Sequence, residues 1–202
     1  MKLLVFSDIH NDSEAARHIV EQSSNYDVLI GAGDFGVMRR NLQTCIETLR
    51  EITTPTVVVP GNNESIGELT KACEDWSAVR VLHGSGIHLL GRDFYGVGGG
   101  IPVTPFGSWS YDFSEQEARK LLRACPNGAV LVSHTPPLGA GDISETGAHL
   151  GSVALLETVE RTCPALVVCG HIHPSSGTRS SLDKVPVINA GPGGLEIELP
   201  DD

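Results

Sequence analysis

Short apolar runs alternate with amphipathic stretches along the first 75 or so residues of the chain. The runs Lys2–Phe6, Val28–Ile30 and Thr56–Val59 each lead into glycine or polar residues, which predicts three buried strands. The segments between them carry apolar residues at helical spacing, for example Leu42, Cys45, Ile46 and Leu49. Strands that alternate with helices predict right-handed crossovers and a parallel sheet.

Three helix starts can be recognised from their capping residues. Asp12 or Ser13 can cap the first helix, because short polar side chains accept hydrogen bonds from free N–H groups there. Ser65 with Glu68, and Ser114 with Glu117, fit the capping box. These positions predict helices that begin near residues 13, 66 and 115.

The middle and the end of the chain have a different pattern of short apolar runs separated by glycine turns. Runs at 79–82, 87–90 and 93–97 predict antiparallel strands, and the tail from 177 to 199 predicts an antiparallel meander. Further strands are predicted at 129–132 and 166–169, with a helix between them at 153–159. Since no repeat, low-complexity tract or linker interrupts the chain, we expect residues 1–202 to form a single domain with two sheets.

Composition narrows the class of protein. Hydrophobic residues make up 40% of the 202 positions and charged residues 19%, which is typical of a soluble globular protein. The formal net charge of −11 argues against strong nucleic-acid binding, because that binding is driven by neutralisation of phosphates. A small phosphorylated substrate remains compatible with this charge, since a local positive site can outweigh the distant field.

Cysteine usage and the N-terminus bear on the compartment. The five cysteines are odd in number and form no CxxC pair, which favours small buried side chains in a reducing compartment. The first apolar run is too short for a signal sequence, and no apolar stretch approaches the ~18 residues of a membrane span. We therefore expect a cytoplasmic protein that does not enter a membrane. The cysteines are Cys45, Cys73, Cys125, Cys163 and Cys169.

Nitrogen and oxygen donors follow five of the predicted strands, at the point where each strand ends. Any one of them is explicable as a cap or a loop residue, but the carboxyl ends of parallel strands meet at one edge, where ligands bind. The repetition therefore predicts one shared metal site. Its donors are Asp8, His10, Asp34, Asn62, His134, His171 and His173.

The number and type of these donors suit two divalent ions that share one carboxylate. Two aspartates contribute −2 against +4 from two such ions, so the site keeps positive charge that can bind a phosphate. Four imidazoles favour manganese, iron, cobalt, nickel or zinc over magnesium and calcium, which prefer oxygen.

The ordered motifs Asp8-x-His10, Gly33-Asp34, Gly61-Asn62, Ser133-His134 and Gly170-His171-x-His173 resemble those of the calcineurin-like metallophosphoesterase superfamily. The resemblance implies an α/β fold, a four-layer α/β/β/α sandwich of two mixed sheets. It implies a first metal ion, most simply manganese, on Asp8, His10 and His173. The second ion would lie on Asn62, His134 and His171, with Asp34 bridging the two. The implied reaction is in-line attack on a phosphoester by a hydroxide that bridges both metal ions.

One position departs from the family pattern. Members commonly have histidine after the motif asparagine, whereas this chain has Asn63, followed by Glu64, which we expect to cap or orient neighbouring groups. An amide can hydrogen-bond a phosphate oxygen but cannot deliver a proton. We therefore predict that help from a general acid is weak or comes from elsewhere. His149 is a candidate substitute acid, and a plain surface histidine is the alternative interpretation.

The sequence thus predicts a dinuclear phosphoesterase that acts on a small phosphoester, with phosphodiesters preferred. The alternatives are a phosphomonoesterase and a non-catalytic scaffold, although a scaffold predicts missing ligands and all seven are present. Two further features stay open. The aromatic loop at 102–113 either lines a pocket or, as we favour, packs as an ordinary loop. Arg39 and Arg40 either reach a substrate phosphate or lie on a solvated face.

Overall fold

In the computed structural model, which describes residues 1–200, eleven strands form two mixed sheets. The first sheet has the strand order β11-β1-β2-β3-β4, and the second has the order β5-β6-β7-β8-β10-β9. The strands are β1 (Lys2–Phe6), β2 (Val28–Gly31), β3 (Thr56–Val58), β4 (Val79–Val81), β5 (Ser85–Leu89), β6 (Arg92–Val97), β7 (Val130–Ser133), β8 (Leu166–Cys169), β9 (Thr178–Leu182), β10 (Val185–Asn189) and β11 (Leu195–Glu198).

Within residues 1–200, five α-helices cover the outer faces of the sheets, and three of them begin at the predicted caps. The Asp12 side chain accepts hydrogen bonds from the N–H groups of Glu14 and Ala15, and both capping boxes are present. No helix within residues 1–200 combines the length and apolarity needed to cross a bilayer. The helices are α1 (Ser13–Gln22), α2 (Leu42–Leu49), α3 (Ile66–Ala72), α4 (Glu115–Leu122) and α5 (Val153–Thr162).

Alternation along the strands divides the buried residues into three apolar layers. In β1, Leu3 and Val5 face the core between the two sheets, while Leu4 and Phe6 face the core under α1–α3. A third core lies between the second sheet and helices α4 and α5. The predicted four-layer α/β/β/α sandwich is therefore confirmed.

The prediction of three antiparallel strands between residues 79 and 97 is wrong in part. Strand β4 belongs to the first sheet and pairs in parallel with β3, with Thr56 opposite Val79, because α3 acts as one more crossover. Only β5 and β6 form the expected antiparallel hairpin. The glycine turn before β5 therefore marks the passage from one sheet to the other.

The predicted C-terminal meander is also wrong in part. Strands β9 and β10 form an antiparallel hairpin, but β10 pairs in parallel with β8 on its other side. Strand β11 crosses to the first sheet and pairs antiparallel with β1, with Lys2 opposite Glu198. This crossing buries Ile197 and Leu199 in the core between the sheets, which is a sufficient physical reason for it.

Candidate metal centre

All seven predicted donors lie at the carboxyl ends of parallel strands. Three ends belong to the first sheet, after β1, β2 and β3, and two belong to the second, after β7 and β8. Because both sheets present these ends to the same side of the sandwich, donors 163 residues apart in sequence come into contact. The geometry divides them into two clusters, with Asp34 between them.

The first cluster consists of Asp8, His10 and His173. One ligand atom of each residue lies within 4.8 Å of the others. The Nε2 atoms of His10 and His173 are 3.2 Å apart, and His173 Nε2 lies 3.6 Å from Asp8 Oδ1. Two imidazoles and a carboxylate converge here, as the first metal site requires.

The second cluster consists of Asn62, His134 and His171. The amide oxygen of Asn62 lies 3.1 Å from His134 Nε2 and 3.1 Å from His171 Nδ1. The amide oxygen and both ring nitrogens therefore point at one small volume, although the residues come from strands in different sheets.

Asp34 joins the two clusters. Its Oδ2 atom is 3.6 Å from His10 Nε2, and its Oδ1 atom is 3.5 Å from His134 Nε2. Four imidazoles, two carboxylates and one amide are donors that borderline divalent ions accept, and their convergence fits two such ions. The assignment of individual residues to each ion stays a prediction.

Backbone carbonyls fix the orientation of two of the imidazoles. His134 Nδ1 lies 2.8 Å from the carbonyl oxygen of Ala32, and His10 Nδ1 lies 3.2 Å from that of Gly36. A carbonyl oxygen can only accept, so Nδ1 carries a proton in each ring and Nε2 is the nitrogen that faces the cluster. This is the usual arrangement behind a metal-binding histidine.

Electrostatic coupling is strong between Asp34 and His134. Burial favours their neutral forms, but the two groups stabilise each other as an ion pair, which lowers the pKa of Asp34 and raises the pKa of His134 to about 9. Burial, aided by the positive charge of His134, lowers the pKa of His171 to about 4. The donors therefore form a charge-coupled unit.

Glu64 supports the loop that carries Asp34. Its buried carboxylate accepts hydrogen bonds from the N–H groups of Asp34 and Gly61, both at 2.8 Å, and from those of Phe35 and Gly36. Burial, followed by the charge of Asp34, raises the pKa of Glu64 to about 7. The residue orients the loop, as expected.

The backbone is strained at four of the seven donors. Asp8, His10, Asp34 and His171 have φ angles of 54°, 47°, 59° and 68°, in the left-handed region that side chains other than those of Asn, Asp and His rarely adopt. Such conformations cost on the order of 1–3 kcal/mol each, and they concentrate at functional sites.

Close packing against the aspartates requires glycine at two positions. A Cβ atom on Gly61 would lie 1.9 Å from Asp34 Oδ1, and one on Gly170 would lie 2.4 Å from Asp8 Oδ2. These glycines belong to the Gly61-Asn62 and Gly170-His171 motifs, so both the glycine and the ligand in each motif have a physical role.

Asn63 is bound to Asp34 and does not extend freely toward solvent. Its Nδ2 donates to Asp34 Oδ2 at 2.6 Å and its backbone N–H donates to Asp34 Oδ1 at 2.8 Å. Its Oδ1 accepts from the N–H of Met38 at 2.7 Å. Contact between Asn63 and a substrate phosphate stays a prediction.

Five of the seven donors line a cleft of about 960 Å³, which we call the metal cleft: His10, Asp34, Asn62, His171 and His173. Thr146 and Leu150 are among the described residues that line it, and His149 is not. His149 Nδ1 lies 2.7 Å from Asp142 Oδ1, and half of the imidazole is exposed. The structure thus does not bring His149 to the donors, and its role as a substitute acid stays a prediction.

Two supporting residues were missed by sequence reasoning. Asn189 is buried at the end of β10, and its Nδ2 donates to the carbonyls of Gly170 and Ile172 on either side of His171. The polar residue at the end of an apolar run was a usable signal for Asn189. Ser110 Oγ accepts from Asn62 Nδ2 at 3.0 Å, and no local pattern indicated that contact.

Solved structures share the fold at low sequence identity. The TT1561 protein of Thermus thermophilus has a TM-score of 0.78 and 20% identity, covering 95% of this chain and 90% of that one. A dimetal phosphatase from Danio rerio has a TM-score of 0.65 and 13% identity, with 95% and 88% covered. A phosphopantetheinyl hydrolase from Mycobacterium tuberculosis has a TM-score of 0.60 and 17% identity, with 94% and 88% covered. At these identities the likeness establishes the fold alone.

Relatives and a family model establish the family. UPF0046 protein K07C11.7 of Caenorhabditis elegans is 30% identical over 201 residues, which cover 90% of this chain and 66% of the relative. UPF0046 protein T07D4.2 of the same organism is 38% identical over 95 residues, 45% of this chain and 23% of the relative. The chain thus spans less than two thirds of either relative. The model of the calcineurin-like phosphoesterase superfamily domain matches residues 1–198, so the chain belongs to the calcineurin-like phosphoesterase superfamily.

Proposed function

We propose that the protein is a dinuclear metal-dependent hydrolase that cleaves small phosphodiesters. The observation that carries this proposal is the position of Asp34, whose oxygens face separate clusters at 3.6 Å from His10 Nε2 and 3.5 Å from His134 Nε2. A carboxylate in that place can be shared by two divalent ions. Two ions beside two aspartates leave a surplus of positive charge, which favours a phosphate ester as ligand.

The chain itself would hold, orient and shield the reacting groups. Bound divalent ions polarise phosphoryl oxygens and lower the pKa of water, so the protein needs no covalent nucleophile of its own. The carbonyls behind His10 and His134 and the hydrogen bonds to Asp34 fix the donors before any substrate arrives. Manganese is the ion we place first, with iron, cobalt, nickel and zinc as the other candidates.

Two features support a diester over a monoester. The Asn63 amide has no proton to deliver to a leaving group, and it is already bonded to Asp34 and Met38. The metal cleft carries Glu145 on its wall and neither lysine nor arginine among its described lining residues. A singly charged diester with a good leaving group suits both features better than a doubly charged monoester does.

The test is a panel of substrates assayed with each of the five ions. We expect bis(4-nitrophenyl) phosphate to react faster than 4-nitrophenyl phosphate, with cyclic nucleotides as a further diester class. Faster turnover of the monoester would overturn the diester preference and favour a phosphomonoesterase. If no phosphoester were hydrolysed with any ion, the hydrolase proposal would be replaced by a non-catalytic scaffold.

A variant at Asn63 tests the reason for the preference. Asn63→His introduces a group that can donate a proton, and general-acid help is worth on the order of 10²-fold for a poor leaving group. We expect the rate with alkyl esters to rise and the rate with nitrophenyl esters to change little, as measured by kcat for matched pairs of diesters. Equal effects on both kinds of ester would show that proton delivery does not limit the reaction.

A further inference from the structure

The walls of the metal cleft are apolar, in contrast to its floor. Eight large hydrophobic side chains are exposed among the described residues, and four of them, Met38, Val103, Phe106 and Leu150, line this cleft. Exposed apolar surface gathered in one concave place is typical of a ligand site, whereas scattered single residues are not. The aromatic loop thus lines a pocket, contrary to the interpretation as ordinary loop packing.

Two stacked aromatic rings line one side of the cleft. The rings of Phe106 and Trp109 have centroids 5.8 Å apart and planes inclined by only 15°, and 51% of Phe106 is exposed. Leu150 lies on a second wall together with Ser144, Glu145 and Thr146. Aromatic faces of this kind bind other flat apolar groups.

The aromatic loop is fixed to the metal centre at Asn62. The Asn62 side chain donates to Ser110 Oγ at 3.0 Å, and the Asn62 carbonyl accepts from the N–H of Tyr111 at 2.9 Å. Asp112 accepts from both Ser110 Oγ and Thr104 Oγ1 and thereby closes the loop on itself. The rings are therefore held at a set place relative to the donors, as a wall that sorts substrates must be.

Charge in the cleft disfavours a second anionic group on the ligand. Glu145 is among the lining residues, and the described lining contains no lysine or arginine. The nearby Arg39 is paired with Glu68, with Nε 2.8 Å from Oε2. A ligand with a second anionic group therefore finds no lysine or arginine for it among the described lining residues.

From these observations we infer that the metal cleft selects phosphoesters that carry one phosphoryl group and a flat, uncharged, apolar organic group. The organic group lies against Phe106 and Trp109 while the phosphoryl group lies at the donors. This inference rests on the proposed function, and it names the substrate class that the same site takes.

The kinetic test keeps the leaving group constant. Three 4-nitrophenyl diesters are compared, whose second groups are methyl, phenyl and 4-carboxyphenyl. Burial of the phenyl ring should raise kcat/KM over that of the methyl ester by on the order of tenfold. The 4-carboxyphenyl ester should be slower than the phenyl ester, because its extra charge has no cation to meet. In Phe106→Ala and Trp109→Ala, the phenyl-to-methyl ratio should fall toward one.

Leu90→Ala is the matched control. Leu90 is also an exposed apolar residue, at 62%, but it lies in the turn between β5 and β6 and does not line the cleft. The ratio should stay at the wild-type value in this variant. A wild-type ratio near one, or an equal fall of the ratio in Leu90→Ala, would overturn the inference.

A binding measurement separates the inference from the proposed function. Trp76 is buried and donates to the carbonyl of Ile52, so a change in tryptophan fluorescence on ligand binding should come from Trp109 and should vanish in Trp109→Phe. Phenylphosphonate should bind the zinc-loaded protein on the order of tenfold more tightly than methylphosphonate. Selective binding without turnover of any ester would refute the hydrolase and uphold the apolar wall. Turnover of an ester without any preference for the phenyl compounds would uphold the hydrolase and refute the apolar wall.

Discussion

The two clusters of the candidate metal centre differ in burial. In the second cluster, His134 is fully buried and Asn62 is 2% exposed. In the first, Asp8 is buried as well, but the side chain of His10 is 28% exposed and that of His173 is 61% exposed. Both clusters share Asp34, so the difference arises from the elements around them and not from the bridging residue.

The surroundings explain the difference. His134 and Asn62 are each held by a second hydrogen bond, to Ala32 and Ser110. In the first cluster His10 has such a bond to Gly36, whereas His173 begins a short 3-10 turn at the surface, followed by Pro174. A ligand that is already held loses less freedom when an ion binds. We therefore expect the buried cluster to retain its ion at chelator concentrations that empty the exposed one.

The largest expected effect is that of Asp34→Asn. If Asp34 serves both clusters, the variant should lose affinity for both ions, and turnover should fall by at least ~10³-fold. Metal content after dialysis and kcat for bis(4-nitrophenyl) phosphate measure the two losses. Unchanged circular dichroism shows that the fold persists. Retention of both ions would contradict the shared carboxylate.

The next largest effect is a difference in metal content between His134→Ala and His173→Ala, which each remove one imidazole from a different cluster. Loss of the buried imidazole should remove the more tightly bound ion, whereas loss of the exposed one should leave about one ion per chain. The free energy of unfolding of the metal-free protein should change by less than ~0.5 kcal/mol in His173→Ala and fall further in His134→Ala. If both variants lost the same amount of metal at the same chelator concentration, the expected order of ion affinity in the two clusters would be refuted.

The placement of the seven donors at one edge was predictable because they follow five apolar runs within a few residues. Asp34 and His134, for example, need only the rule that polar residues after parallel strands share an edge. Strand neighbours were harder to predict, because β4 and β11 look like ordinary short strands and burial determines their partners. Val79 of β4 is buried in the core under α1–α3, and Ile197 of β11 in the core between the sheets. The same apolar residues would suit a hairpin equally well.

Contacts made by loop residues away from the strand ends were beyond the reach of sequence patterns. Ser110 lies 48 residues from Asn62 in a loop without regular structure, and nothing in its neighbourhood marks it as a support for a ligand. The sequence shows the aromatic residues of the same loop, but such residues are as typical of ordinary loop packing as of a pocket wall. Only the fold, which brings this loop over the strand ends, decides between the two.

The smallest predicted effect tests whether the hydrogen bond from Asn62 to Ser110 makes the second cluster bind its ion more tightly than the first. Ser110→Ala removes the acceptor of Asn62 Nδ2, and loss of such a partner costs on the order of 10-fold in metal affinity. The loss should fall on the more tightly bound ion alone, as measured by competition with a graded series of chelators. Ser108→Ala, at an exposed position of the same loop, should leave both affinities unchanged. A weakening of the loosely bound ion instead would mean that burial, and not orientation of Asn62, sets the difference between the clusters.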